Sequence, residues 1–136
     1  MSKAPWLIVD AMNVIGSRPD GWWRDRQGAI RRFVAQLGAY ARQEDVGVTV
    51  VIDGRPISGL PDGDHDDLEV VYARRRGSDA ADDRIVELVE ADHNPSALRV
   101  VTSDRELRRR VTVLGAAVES AGWLLRRLEG FEAPDE

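Results

Sequence analysis

A chain of 136 residues can bury one sizeable core but not two, so a single domain is expected over residues 1–136. Having no cysteine excludes disulfides, thiolate catalysis and cysteine zinc sites, and two histidines, His65 and His93, are too few for a multi-histidine metal centre. A net charge of −5 argues against indiscriminate nucleic-acid binding, which needs cationic surface, and leaves carboxylates as the reactive group in supply.

No stretch is long and apolar enough for a membrane span. The N-terminus carries neither a charged leader nor a long apolar segment, so a cytoplasmic protein is expected. Trp6 to Val9 is an apolar run without helical period that stops at Asp10, as a buried strand does when it delivers an acid to the carboxyl edge of a parallel sheet. Asn13 follows, expected on the loop leaving that strand. After a turn-rich segment with Pro19 and Gly21 come Trp22 and Trp23, which cannot both face one core; Trp22 is a candidate base-stacking platform. From about Asp25 to Arg42, Ala29, Ile30, Phe33, Val34, Leu37 and Ala41 recur at helical spacing. Val46 to Ile52 then reads as a strand, closed by Asp53-Gly54.

Residues 57 to 67 have no period and are expected to form a surface loop, with His65 exposed as His93 is. Leu68 to Ala73 is a short strand running into Arg74, Arg75 and Arg76, a candidate phosphate-contacting patch at the acid edge. Ser78 is an N-cap for a helix to about Ala91. Within it Asp82 begins the apolar stripe of Ile85, Val86 and Val89, while Asp83 is turned about 100° away. Leu98 to Thr102 is a further strand, ending at Ser103-Asp104. A helix to about Arg110, a strand over Val113 to Val118 and a helix over Ala121 to Leu128 complete the core, about residues 5 to 128, and residues 129–136 read as a frayed tail. This β/α order implies a mostly parallel sheet with helices on both faces, a three-layer α/β/α domain.

Asp10, Asp53, Asp82 and Asp104 thus reach one sheet edge from four separate places. Each has an ordinary structural role open to it: Asp53-Gly54 suits a turn, Ser103-x-x-Glu106 matches a capping box, and Asp82 favours a helix dipole. Together they would repel one another unless a cation were bound. An oxygen-only set suits Mg²⁺ or Mn²⁺, which keep waters and bind phosphate oxygens. Two such metals about 4 Å apart can activate water and stabilise the leaving oxygen of a phosphodiester. Asn13, a neutral donor and acceptor, would orient a water or phosphate there.

The sequence resembles the NYN domains of the PIN-like ribonuclease superfamily, most closely their YacP-like branch. The likeness rests on Leu7-Ile8-Val9-Asp10-Ala11-Met12-Asn13-Val14-Ile15-Gly16, Val50-Val51-Ile52-Asp53-Gly54, Ala81-Asp82-Asp83-Arg84-Ile85 and Val100-Val101-Thr102-Ser103-Asp104. It implies a Rossmann-like sheet, metal-dependent endoribonuclease activity and an acid site at Asp10, Asp53, Asp82 and Asp104 with Asn13 beside them. It also implies an RNA substrate, with the ribosome or another RNA-presenting protein as partner. On this reading Asp10 and Asp104 hold the principal metal, Asp82 helps hold it or positions the attacking water, and Asp53 serves a second metal or the outer shell. The rival is a noncatalytic RNA- or ribosome-binding domain of the same fold. A phosphatase of the haloacid-dehalogenase kind would want a second Asp two residues after the first, where Met12 stands, and the isolated Gly16 makes no phosphate loop.

Overall fold

A computed structural model describes residues 6–65, 67–73 and 80–131. Its chain order is β1 (Trp6–Asp10), α1 (Ala11–Gly16), a 3₁₀ turn (Trp22–Asp25), α2 (Arg26–Glu44), β2 (Gly47–Asp53), β3 (Gly63–His65) and β4 (Leu68–Ala73). It continues with α3 (Ala80–Ala91), a 3₁₀ turn (Pro95–Ala97), β5 (Leu98–Val101), α4 (Arg105–Val113), β6 (Ala117–Glu119) and α5 (Ala121–Leu128). The strands form one sheet ordered β3-β4-β2-β1-β5-β6, in which β3 alone pairs antiparallel.

The near-continuous apolar runs of β1 and β2 follow from their central place, because parallel strands are covered on both faces. Alternate residues feed two cores. Leu7, Val9, Val50, Ile52, Tyr72 and Val101 pack with residues of α1, α2 and α5, Phe33 and Leu37 among them. Ile8, Val51, Val71, Ala73 and Val100 pack with Ile85 and Val89 of α3 and Leu107 and Val111 of α4. The chain is therefore a three-layer α/β/α domain, as its β/α order implies. Among the described residues, no helix is long and apolar enough to cross a membrane.

Several expectations are corrected. Asn13 lies within helix α1, which starts directly after Asp10, and not on a loop. Val113 ends α4 and is 77% exposed, so the last strand shrinks to Ala117–Glu119. The helical spacing of Leu107 and Val111 carries that segment to Val113, and Gly115 at φ 102° then makes the left-handed turn that reverses the chain. The segment from 57 to 67 holds edge strand β3, with His65 half-buried on it. In the same segment Ile57 and Leu60 are buried, because the Tyr72 hydroxyl donates to the Leu60 carbonyl (2.6 Å) and accepts from the Ile57 amide (3.3 Å). Within the expected tail, the Phe131 ring meets Tyr40 edge-on at 5.5 Å and the Gln36 amide donates to the carbonyls of Leu128 and Phe131. Ser78, the expected cap of α3, and the tail beyond 131 lie outside the described residues.

One close approach fixes the register of β1 on β2. Trp6 lies opposite Gly47, and a Cβ on Gly47 would fall 2.0 Å from the indole. The same indole donates to Thr49 Oγ1 at 2.9 Å. Gly47→Ala must displace Trp6 and is expected to cost about 1–3 kcal/mol, as overpacking typically does. Denaturant unfolding reads this directly, and an unchanged midpoint would show that the ring has room to move.

Candidate active site

Strand order reverses beside β1. The chain moves from β1 outward to β2 and β4 on one side, then returns to place β5 on the other. The crevice at the carboxyl ends of β1 and β5 is therefore the switch point where open α/β sheets bind ligands. Asp10 closes β1 there, Thr102 to Asp104 leave β5 there, and Asp53 closes β2 next door.

The pleat decides which way these groups point. Side chains alternate along a strand, and Ile8 and Val51 belong to the core under α3 and α4. Two residues on, Asp10 and Asp53 face the same side, toward the first turn of α3 with Asp82 and the start of α4 with Asp104.

Asp10 is 5% exposed, and its Oδ2 accepts from the Thr102 hydroxyl at 2.9 Å. Burial pushes its pKa from the usual 3.8 up to about 7; the Thr102 hydrogen bond opposes the rise, and the charges of Asp82, Asp53 and Asp104 add to it. The other three expected acids thus act electrostatically on Asp10. Asp53 also stands above its ordinary value, through burial, against the pull of the Arg26 guanidinium and an Ala81 backbone hydrogen bond. Its Oδ1 is buried without a hydrogen-bond partner. Arg26 further donates to the Asp53 backbone carbonyl at 2.8 Å and so fastens the start of α2 to the end of β2.

Asp104 caps α4, its Oδ1 accepting from the Leu107 amide at 2.8 Å. The capping box expected of Ser103 is not formed: the Ser103 hydroxyl accepts from the Ala121 amide at the start of α5 (2.9 Å), and Glu106 pairs with Arg109. Asn13 uses its Oδ1 to accept from the Ser103 amide (2.8 Å), tying α1 to the loop that carries Asp104. Asp83 turns away from Asp10, as its rotation requires, and meets Arg110 at 3.1 Å.

Among the described residues, no three carboxylate or imidazole side chains stand as a ready-made metal cage. Trp22 is half-buried against the core, whereas Trp23 is the exposed ring at 62%. Arg74, Arg75 and Arg76 lie outside the described residues.

Sequence reading passed over Thr102, Ser103 and Arg26 as participants. Thr102 had a signal: in Val100-Val101-Thr102 it alternates onto the face of Val100, the face to which Asp10 also belongs. It is fully buried, and it also accepts from the Asp104 amide at 3.2 Å. Thr102→Val keeps the shape and removes both bonds. The expected result is an Asp10 pKa higher still and, since hydrogen bonds to charged groups contribute about 1.5–3 kcal/mol, roughly tenfold or more lost activity at pH 7. A pH–rate profile whose acid limb does not move upward would contradict this role.

A mostly parallel sheet with helices on both faces and an acid-lined crevice at its switch point defines a Rossmann-like domain. The model of the YacP-like NYN domain matches residues 7–134, and the chain belongs to that nuclease-like, RNA-related family. Solved structures similar to it include the following two. The crystal structure of Rae1 (YacP) from Bacillus subtilis has a TM-score of 0.73 at 27% identity, covering 92% of this chain and 74% of that one. A single-residue variant of the same protein has a TM-score of 0.73 at 26% identity, covering 96% and 76%. Comparison with curated proteins gives no match.

Proposed function

We propose that the chain is an endoribonuclease that hydrolyses RNA phosphodiester bonds with Mg²⁺ or Mn²⁺ and acts in the cytoplasm. The observation that carries this reading is Asp10, a buried carboxylate at the switch point, raised to about 7 by burial and by three further acids. Family membership supports the RNA substrate.

The residues present fit a divalent cation. The donor set is oxygen only, Asp53 Oδ1 is buried without a partner, and a cation would relieve the repulsion among the four acids. Magnesium needs only one or two carboxylates beside waters and substrate phosphate oxygens, so a complete cage is not required of the protein. Asp10 and Asp104 would hold the principal metal, Asp82 would help hold it or position water, and Asp53 would serve a second metal or the outer shell. When bound, the metal supplies Lewis acidity and an activated water.

The protein's own part is positioning. Thr102 fixes the carboxylate of Asp10, Asn13 fixes the loop of Asp104, and Arg26 fixes the end of β2. Arg74, Arg75 and Arg76 would guide the RNA backbone.

A second reading, a noncatalytic RNA- or ribosome-binding domain, has one observation on its side: no three ligand groups converge among the described residues. The deciding experiment incubates labelled single-stranded and structured RNAs with pure protein in Mn²⁺, Mg²⁺ or EDTA. Metal-dependent products are expected. RNA binding without products under every condition would favour the second reading, or an enzyme to which the ribosome or another partner must present its RNA.

A further inference from the structure

The 3₁₀ turn Trp22–Asp25 is anchored at the acid edge. Arg26, the next residue, donates to the Asp53 carbonyl, and the Trp22 ring lies against Gly16 at the end of α1, where a Cβ would come within 3.8 Å of it. Trp22 is thereby packed into the core, and it meets Trp23 edge to face at 89° with ring centres 6.1 Å apart. Trp23 is the only exposed Trp, Tyr or Phe among the described residues. It is held by its neighbours and open to solvent on its other side.

Apolar rings are usually covered, so an exposed indole that rests on a packed neighbour marks a binding surface better than a lone exposed aliphatic does. Cations accompany it. The exposed Arg24 guanidinium lies 5.8 Å from the centre of the Trp23 ring, and Arg26 stands one turn further along. In a chain of net charge −5, this pairing suits a ligand that is both flat and anionic.

From these observations we infer that Trp23 and Arg24 form a nucleotide subsite for single-stranded RNA, the indole stacking on a base and the guanidinium contacting the adjoining phosphate. The inference deepens the reading of the acid edge as an RNA-cleaving site and rests on it. Trp23 precedes the Asp53-bound Arg26 by three residues. The start of α2 is thereby fastened to the carboxyl end of β2, the sheet edge at which the acids also lie. An unpaired base is required, because only it presents a free face to the ring.

The test uses the full chain and a short fluorescein-labelled single-stranded RNA. Cleavage is followed in Mn²⁺, and binding by anisotropy in EDTA with Asp10→Asn as the background. Trp23→Ala is expected to weaken binding and raise KM about tenfold while kcat changes little, and Trp23→Phe to restore most of both. Arg24→Gln should weaken binding and flatten its salt dependence. A perfectly paired RNA duplex should bind equally to the parent and Trp23→Ala proteins.

Cleavage with an unchanged KM and affinity in Trp23→Ala would overturn the subsite and leave the nuclease standing. Absence of cleavage in the parent protein, with binding that still depends on Trp23, would overturn the nuclease reading and keep the subsite. Equal loss on single-stranded and duplex RNA would also overturn it, since stacking demands an open base.

Discussion

Asp10→Asn is expected to abolish metal-dependent RNA cleavage, by about 10³-fold or more, while the fold survives. Metals in such sites act by stabilising developing charge and lowering the pKa of water, and each effect amounts to several kcal/mol of barrier. Asp10 is where the other three acids exert their fields, so its loss removes the centre of the site and not one of its edges. Asparagine has nearly the same shape and retains an oxygen for the Thr102 hydroxyl to reach. Circular dichroism should therefore match the parent. Retained cleavage in the variant would refute the assignment of Asp10 as principal ligand, whatever metal was supplied.

The same substitution has a second large consequence, in stability. A carboxylate that titrates near 7 when folded and near 3.8 when unfolded takes up its proton in the folded state first. Between those values, folding binds a proton. The stability that this group contributes is complete below about pH 4 and is lost as pH rises through 7. The gap is worth about 4 kcal/mol for a group so well buried.

The difference in unfolding free energy between Asp10→Asn and the parent, measured without divalent metal, is therefore expected to grow from pH 4 to pH 8 by roughly that amount, the variant gaining. Mn²⁺ should close the gap at pH 8, because it binds the ionised carboxylate and stabilises the folded parent protein alone. A difference that stays flat with pH would mean that Asp10 is neither desolvated nor crowded by acids in solution. A gap that Mn²⁺ leaves open would argue against Asp10 as a metal ligand.

Much of this molecule is written in local pattern. The apolar run ending at Asp10, the helical spacing from Ala29 to Ala41, and the acids closing β1 and β2 all follow from periodicities that burial imposes on any strand or helix. Even the turning away of Asp83 from Asp10 is fixed by helix geometry, and its meeting with Arg110 agrees. Other features have no local signature. Val113 reads as a strand residue because it is β-branched, yet two buried neighbours spaced for a helix decide otherwise. Ile57 and Leu60 read as loop, and a hydroxyl from another strand buries them.

The site divides along the same line. The residue types and their places at strand ends were legible because carboxylates cannot sit within an apolar run without ending it. Only the assembled sheet determined that Thr102 holds Asp10, that Asn13 holds the Asp104 loop from 90 positions away, that Arg26 braces Asp53, and that Trp23 rather than Trp22 faces solvent. Such contacts join distant segments. A hydrogen bond or an exposed ring is a property of the pair or of the surface around it, and neither leaves a period in the sequence.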